Sequence, residues 1–81
     1  MRIIKDNFID SQEQQFALRI DDQSVAGVTF IGKAPLGSLP SAAVWQIKKI
    51  DETGSVLIIS WADGDSNFDN IWNDRVSLTY S

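Results

Sequence analysis

Eighty-one residues with a mass of 9.0 kDa leave room for one small domain and no second core. The chain has no His and no Cys, which excludes disulfides, thiolate and imidazole metal ligands, and nearly all histidine acid–base chemistry. Eleven Asp and Glu against seven Lys and Arg give a formal charge of −4 and a pI of about 4.4, which argues against non-specific nucleic-acid binding.

A domain of this size buries only about 60% of the surface its unfolded chain exposes, so it is marginal alone and a staple is expected. With Cys absent, the staples left are association with copies of itself or with other chains, or an oxygen-ligated cation. No apolar run approaches the ~20 residues needed to cross a bilayer; the longest, Val56-Leu57-Ile58-Ile59, is four residues. Residues 1–7 lack the apolar centre of a secretory signal. The expectation is a protein made in a cytoplasm, without membrane contact.

Along the chain, alternation with period two dominates. Residues 2–5 predict a short strand, and residues 1–11 an extended arm. Residues 12–20 predict a strand with Phe16, Leu18 and Ile20 on one face and Gln15, Ala17 and Arg19 on the other. A two-turn helix over residues 11–18 competes. Residues 21–24 predict a turn. Residues 25–31 are rich in β-branched side chains, with Gly27 marking a bulge or bend.

Gly and Pro punctuate residues 32–41, which predicts a loop. Residues 42–50 predict a strand with Ala43, Trp45 and Ile47 facing one way. Residues 51–54 predict a type I turn with Gly54 at a positive φ. Residues 55–61 complete that hairpin. They are apolar on both faces, so this strand is expected to lie centrally or to meet another subunit. Residues 63–67 form a second turn, residues 68–75 are helical turn or extended, and residues 76–81 alternate and close the domain. The sum is a single all-β domain over residues 1–81: a small antiparallel sandwich or partly open barrel of five to six short strands.

The reactive side chains point away from catalysis. A Ser–Lys pair would need Lys5, Lys33, Lys48 or Lys49, and the Lys48-Lys49 step reads as a solvated sheet face. Asp63, Asp65, Asp69 and Asp74 are candidates for paired-carboxylate chemistry, but so small a sheet has little room for a substrate cleft. No enzyme is expected. Counted from Asp63, oxygen side chains fall at the first, third, fifth, seventh and twelfth positions: Asp63, Asp65, Asn67, Asp69 and Asp74. That spacing is close to a calcium loop. Phe68 stands where such a loop needs Gly, and Asp74 where it needs a bidentate Glu, so a polar turn is favoured and no cofactor is expected. Arg75 pairs with Asp69 or Asp74, or anchors an interface. Trp45 and Trp61 are expected to share the core. Trp72 has three roles open to it: interface anchor, lid on the core, or platform for a sugar ring.

The segments Ile31-Gly32-Lys33-Ala34, Gly37, residues 41–50 with Ala43-Val44-Trp45-Gln46-Ile47, Trp61-Ala62-Asp63-Gly64, Phe68-Asp69-Asn70-Ile71-Trp72-Asn73-Asp74-Arg75 and Leu78-Thr79-Tyr80-Ser81 together resemble a group of small, mostly uncharacterised structural proteins of tailed bacteriophages. The resemblance covers about the C-terminal two-thirds of the chain and brings no catalytic residue. It implies a virion protein made in the host bacterial cytoplasm and present in repeated copies or as a homo-oligomer. Its partners would be other virion proteins such as major capsid, portal or tail proteins, with no direct nucleic-acid contact. Within that setting the expectation is a capsid decoration (cement) protein or a tail or fibre-attachment component. Trp72, Arg75, Phe68, and Leu36 and Leu39 of the 32–41 loop are the expected contact residues. Two other readings are kept: a carbohydrate- or calcium-dependent surface-binding module using Trp72 and the 63–74 turn, and a protein that binds a host enzyme.

Overall fold

A computed structural model of the chain describes residues 15–81. The expected strand at residues 2–5 and the arm over residues 1–11 lie outside the described residues. The described chain is all-β, as its alternation predicts. It is an open antiparallel sheet of five strands, β1 (Phe16–Val25), β2 (Val28–Pro35), β3 (Ala43–Asp51), β4 (Ile58–Trp61) and β5 (Asn70–Ile71). The first four lie side by side in chain order, and β5 pairs with β3 at Ala43 and Trp45. A single 3-10 turn, Trp72–Asp74, follows β5. Residues 68–75 thus combine both alternatives, an extended stretch and then a helical turn.

The first hairpin exchanges the expected places of turn and bulge. β1 and β2 are joined at Ala26 and Gly27, between the paired Val25 and Val28, with Gly27 at φ 78°. A two-residue hairpin loop needs that left-handed backbone, and Gly supplies it without steric cost. Residues 21–24 are a bulge within β1, where residues 22–24 stand opposite Thr29 alone. The Asp21 carboxylate holds the bulge by accepting from the Gln23 and Ser24 N–H groups at 2.9 and 3.1 Å and from the Ser24 hydroxyl at 2.6 Å.

The expected loop over residues 32–41 begins later than the Gly and Pro suggest. Gly32, Lys33 and Ala34 belong to β2, and the loop is residues 36–42. Gly32 is small because aromatic rings lie on it, and Ala34 is fully buried in the core. A β-carbon at Gly32 would stand 2.5 Å from Cε3 of Trp72 and 3.1 Å from Cε3 of Trp45. The β3–β4 connection is also longer than a four-residue turn, since Asp51 pairs with Ile58. Asp51 closes its start by accepting from the Thr53 N–H and hydroxyl. Gly54 lies outside the positive-φ region, where only Gly27, Gly37 and Gly64 stand among the described glycines.

Residues opposite one another in the ladders share a face, so the register assigns every strand residue to one of two sides. Val28, Phe30 and Ala34 of β2 and Trp45 and Ile47 of β3 line the inner side and are buried. Trp72 and Ala62 complete this core, with Leu78 and Tyr80 packed against it. The C-terminal segment is expected to alternate as a strand. It forms one bridge, Ala62 to Tyr80, flanked by the Asp63 N–H donating to the Thr79 carbonyl and by a mutual pair of backbone bonds between Trp61 and Ser81.

Candidate interaction surface

Trp72 lies in the core, 5% exposed, with its ring centroid 5.9 Å from that of Trp45. It is the lid among its three expected roles, and as an exposed contact residue it is corrected: the bare backbone of Gly32 lets the indole settle onto the sheet. Its neighbours fix it there. Asn70 donates to the Trp45 carbonyl at 3.2 Å, and Trp45 Nε1 donates to the Leu39 carbonyl at 2.9 Å. The Asn73 N–H donates to the Pro40 carbonyl at 3.1 Å.

Arg75 stacks its guanidinium over the Trp72 ring at 4.6 Å and donates from Nε to Asp21 Oδ2 at 2.8 Å. Its partner is thus Asp21 in the β1 bulge, not Asp69 or Asp74. Both side chains are mostly shielded from solvent, so the pair counts for more than a surface ion pair. Hydrogen bonds from the Ser24 hydroxyl, the Gln23 N–H and Arg75 hold the Asp21 carboxyl well below the ordinary carboxylate range. Arg19, Trp72, Arg75 and residues 20–23 line a shallow depression of about 420 Å³ here. The Tyr80 hydroxyl donates to the Arg75 carbonyl at 2.8 Å, and burial pushes its pKa up to about 12.

The acidic spacing is not gathered into a site. Among the described residues no three Asp or Glu side chains come within reach of one metal ion. Asp63 and Gly64 form a left-handed turn, with φ 60° and 74°, and Asp65 accepts from the Asn67 N–H at 3.0 Å. These are the bonds of a polar turn.

Leu36 and Leu39 are exposed on the 36–42 loop. Phe68 stacks on Phe16 with centroids 5.7 Å apart, and Lys33 Nζ lies 4.8 Å from the Phe16 ring on its own account. The larger exposed surface is the outer side of the sheet. Its rows are Leu18–Lys33–Gln46, Ile20–Ile31–Lys48–Trp61 and Thr29–Ile50–Ile59. Leu18 is 62% and Ile20 68% exposed on β1, and Ile59 is exposed on β4 at the other side of the strand order. Lys48 Nζ stands 5.4 Å from the Trp61 ring, so its stem covers apolar surface while its charge stays near water. Among the described residues only one end of this side is covered, where Gln46 donates to the Ser66 carbonyl at 2.8 Å and Phe68 rests on Phe16. Alternation in β1 marks Leu18 and Ile20 as one face. It cannot say that the chain's own core lies on the other.

Comparison with protein-family models, with curated proteins and with solved structures returns no match.

Proposed function

We propose that this chain is a non-enzymatic structural protein of a bacteriophage virion, working as a capsid decoration protein on the head. Attachment at the tail or fibre is the neighbouring form of the same reading. The observation that carries it is the outer side of the sheet, left open among the described residues: Leu18 and Ile20 on β1 and Ile59 on β4 stand in solvent, with Lys33 and Lys48 on the strands between them. A monomer rarely keeps such a contiguous apolar patch unless a partner covers it. The two lysines give that patch positive charge on a chain whose net charge is −4, which suits an acidic partner surface and keeps the free chain soluble.

The mechanism is passive. The inner side holds the sheet together through Trp45, Ile47 and Trp72, and the outer side binds a neighbouring virion protein. Repetition over a particle surface makes each weak contact effective. The resemblance of the Trp-Ala-Asp-Gly and Phe-Asp-Asn-x-Trp-x-Asp-Arg segments to small phage structural proteins supports the same setting. The test is mass spectrometry of purified particles of the phage that encodes the chain, scaled to its major capsid protein. Copies in the hundreds are expected for a head protein. About six or twelve, the multiplicities of closed rings, would move it to the tail. Absence from the particle would overturn the proposal and favour a host-directed binding protein.

A further inference from the structure

The apolar run Val56-Leu57-Ile58-Ile59 does not lie centrally in this sheet. It leads into β4, the last strand of the order, and all four side chains are more than half exposed. The backbone of β4 faces two ways. Ala62 donates to the Ile47 carbonyl at 3.0 Å, so Ala62, Ser60 and Ile58 turn their N–H and C=O groups toward β3. Trp61 and Asp63 turn theirs outward, where they bond Ser81 and Thr79 at 2.8–3.1 Å. Ile59 shares that outward orientation, and among the described residues no strand lies beyond it. The free edge therefore ends at Ser60, where the C-terminal segment begins to occupy it.

We propose that a second copy of this chain completes this edge by antiparallel β4–β4 pairing about a twofold axis at Ile58. That register sets Ile58 opposite Ile58 of the second copy and Ile59 opposite its Leu57. Val56, in the bend before β4, then falls opposite Ser60 once residues 56–57 extend in line with β4, and the pairing stops short of the C-terminal segment. Residues 54–60 carry no charge, so self-pairing places no like charges opposite one another. The edge also lacks the Lys or Pro by which lone edge strands refuse partners. Pairing makes residues 56–60 central in a ten-stranded sheet formed by two copies, the position for which strands apolar on both faces are suited. The four side chains offer roughly 400 Å² per copy, below the ~800 Å² per partner of a stable complex, so the free pair is weak and gains strength where copies are held close. The pairing is a property of the isolated chain and stands apart from the virion reading.

The experiment uses the full chain with Ile58→Cys. The natural sequence has no Cys, so any disulfide must join two chains. Opposed residues of a non-hydrogen-bonded antiparallel pair have Cα atoms about 4.5 Å apart, within disulfide reach. Val76→Cys is the control, since Val76 is 54% exposed against 56% for Ile58 and lies elsewhere. In a glutathione redox buffer at ~0.1 mM protein, Ile58→Cys should form covalent dimer at least about tenfold faster than Val76→Cys. Sedimentation of the unmodified chain should show a concentration-dependent dimer that Ile59→Lys removes without changing the melting temperature. Equal cross-linking rates overturn the proposal, as does a dimer that survives Ile59→Lys. An Ile58→Cys thiol shielded from alkylation in the monomer also overturns it, because another part of the chain would then cover the edge.

Discussion

The six-membered ring of Trp72 lies against the backbone of Gly32, so closely that a β-carbon there would stand 2.5 Å from Cε3 and 2.7 Å from Cζ3. Gly32 is held for space, since its φ is outside the left-handed region. Gly32→Ala must therefore push the indole off the sheet or bend β2, and overpacking of this kind costs ~1–3 kcal/mol. Gly54→Ala is the matched control. Nothing lies within 4 Å of its added carbon, and the loss of chain freedom should leave stability unchanged or raised by up to ~1 kcal/mol. Urea unfolding followed by tryptophan fluorescence checks both, and equal stability of the two variants would contradict this packing.

The Asp21–Arg75 pair joins residues 54 positions apart in sequence at 2.8 Å. Because the folded state holds the Asp21 carboxyl below its ordinary value of 3.8, the resulting stabilisation is complete above about pH 4 and is lost as pH falls further. Asp21→Asn keeps an oxygen for the bulge N–H groups but removes the charge opposite Arg75. It should cost ~1–2 kcal/mol at neutral pH and flatten the acid side of the stability curve. Some acid slope should remain, since hydrogen bonds from Thr53 also lower the pKa of Asp51. Urea midpoints measured across the acid range check the difference.

Period-two alternation made the fold class legible, because strands with one buried face leave that signature whatever their partners. The inner face of β3 was legible for the same reason, with Trp45 and Ile47 in phase. The β1 bulge was not, since Asp21-Asp22-Gln23-Ser24 satisfies backbone by the same side-chain bonds in a bulge as in a turn. Nor was the extent of β2. Gly32 reads as a loop residue until the ring that needs its space is known, and Trp72 lies 40 positions on in the sequence. The Arg75 partner was misplaced for a related reason: nearby Asp69 and Asp74 are visible in the sequence, while Asp21 arrives only through the sheet. Leu18 and Ile20 were legible as a stripe, but a period of two does not tell which stripe is covered.

Tyr80 supplies a probe of the C-terminal closure. It is the only tyrosine, so tyrosinate absorbance reports it alone. Burial raises its pKa from 10.0 to about 12, with the Asp63 carboxylate adding and Arg75 opposing. A raised pKa means that the folded state holds the proton more tightly. Its stabilisation is complete below about pH 10 and is lost as pH rises toward 12. The folded chain should titrate near 12, and the urea-unfolded chain near 10. Tyr80→Phe should cost about 1 kcal/mol at neutral pH through the lost bond to the Arg75 carbonyl, and should reduce the alkaline loss.

The two sides of the sheet should respond differently to the same chemical change. Thr is β-branched like Ile and keeps strand propensity, so it alters burial and polarity more than backbone preference. Ile47 is 1% exposed, and Ile47→Thr places a hydroxyl in the core opposite Gly32 and on the same face as Trp45, at a cost of ~2–4 kcal/mol. Leu18→Thr with Ile20→Thr changes side chains that stand mostly in water, and the pair should move stability by no more than about 0.5 kcal/mol. Dye binding to exposed apolar surface should fall in the outer-face variant, and its incorporation into particles should be lost while its melting temperature holds. If the outer-face variant unfolds like Ile47→Thr, that side is covered by the chain itself and the open-face reading fails. If it folds and still assembles, the partner contacts lie elsewhere, with the exposed Leu36 and Leu39 loop next to be substituted.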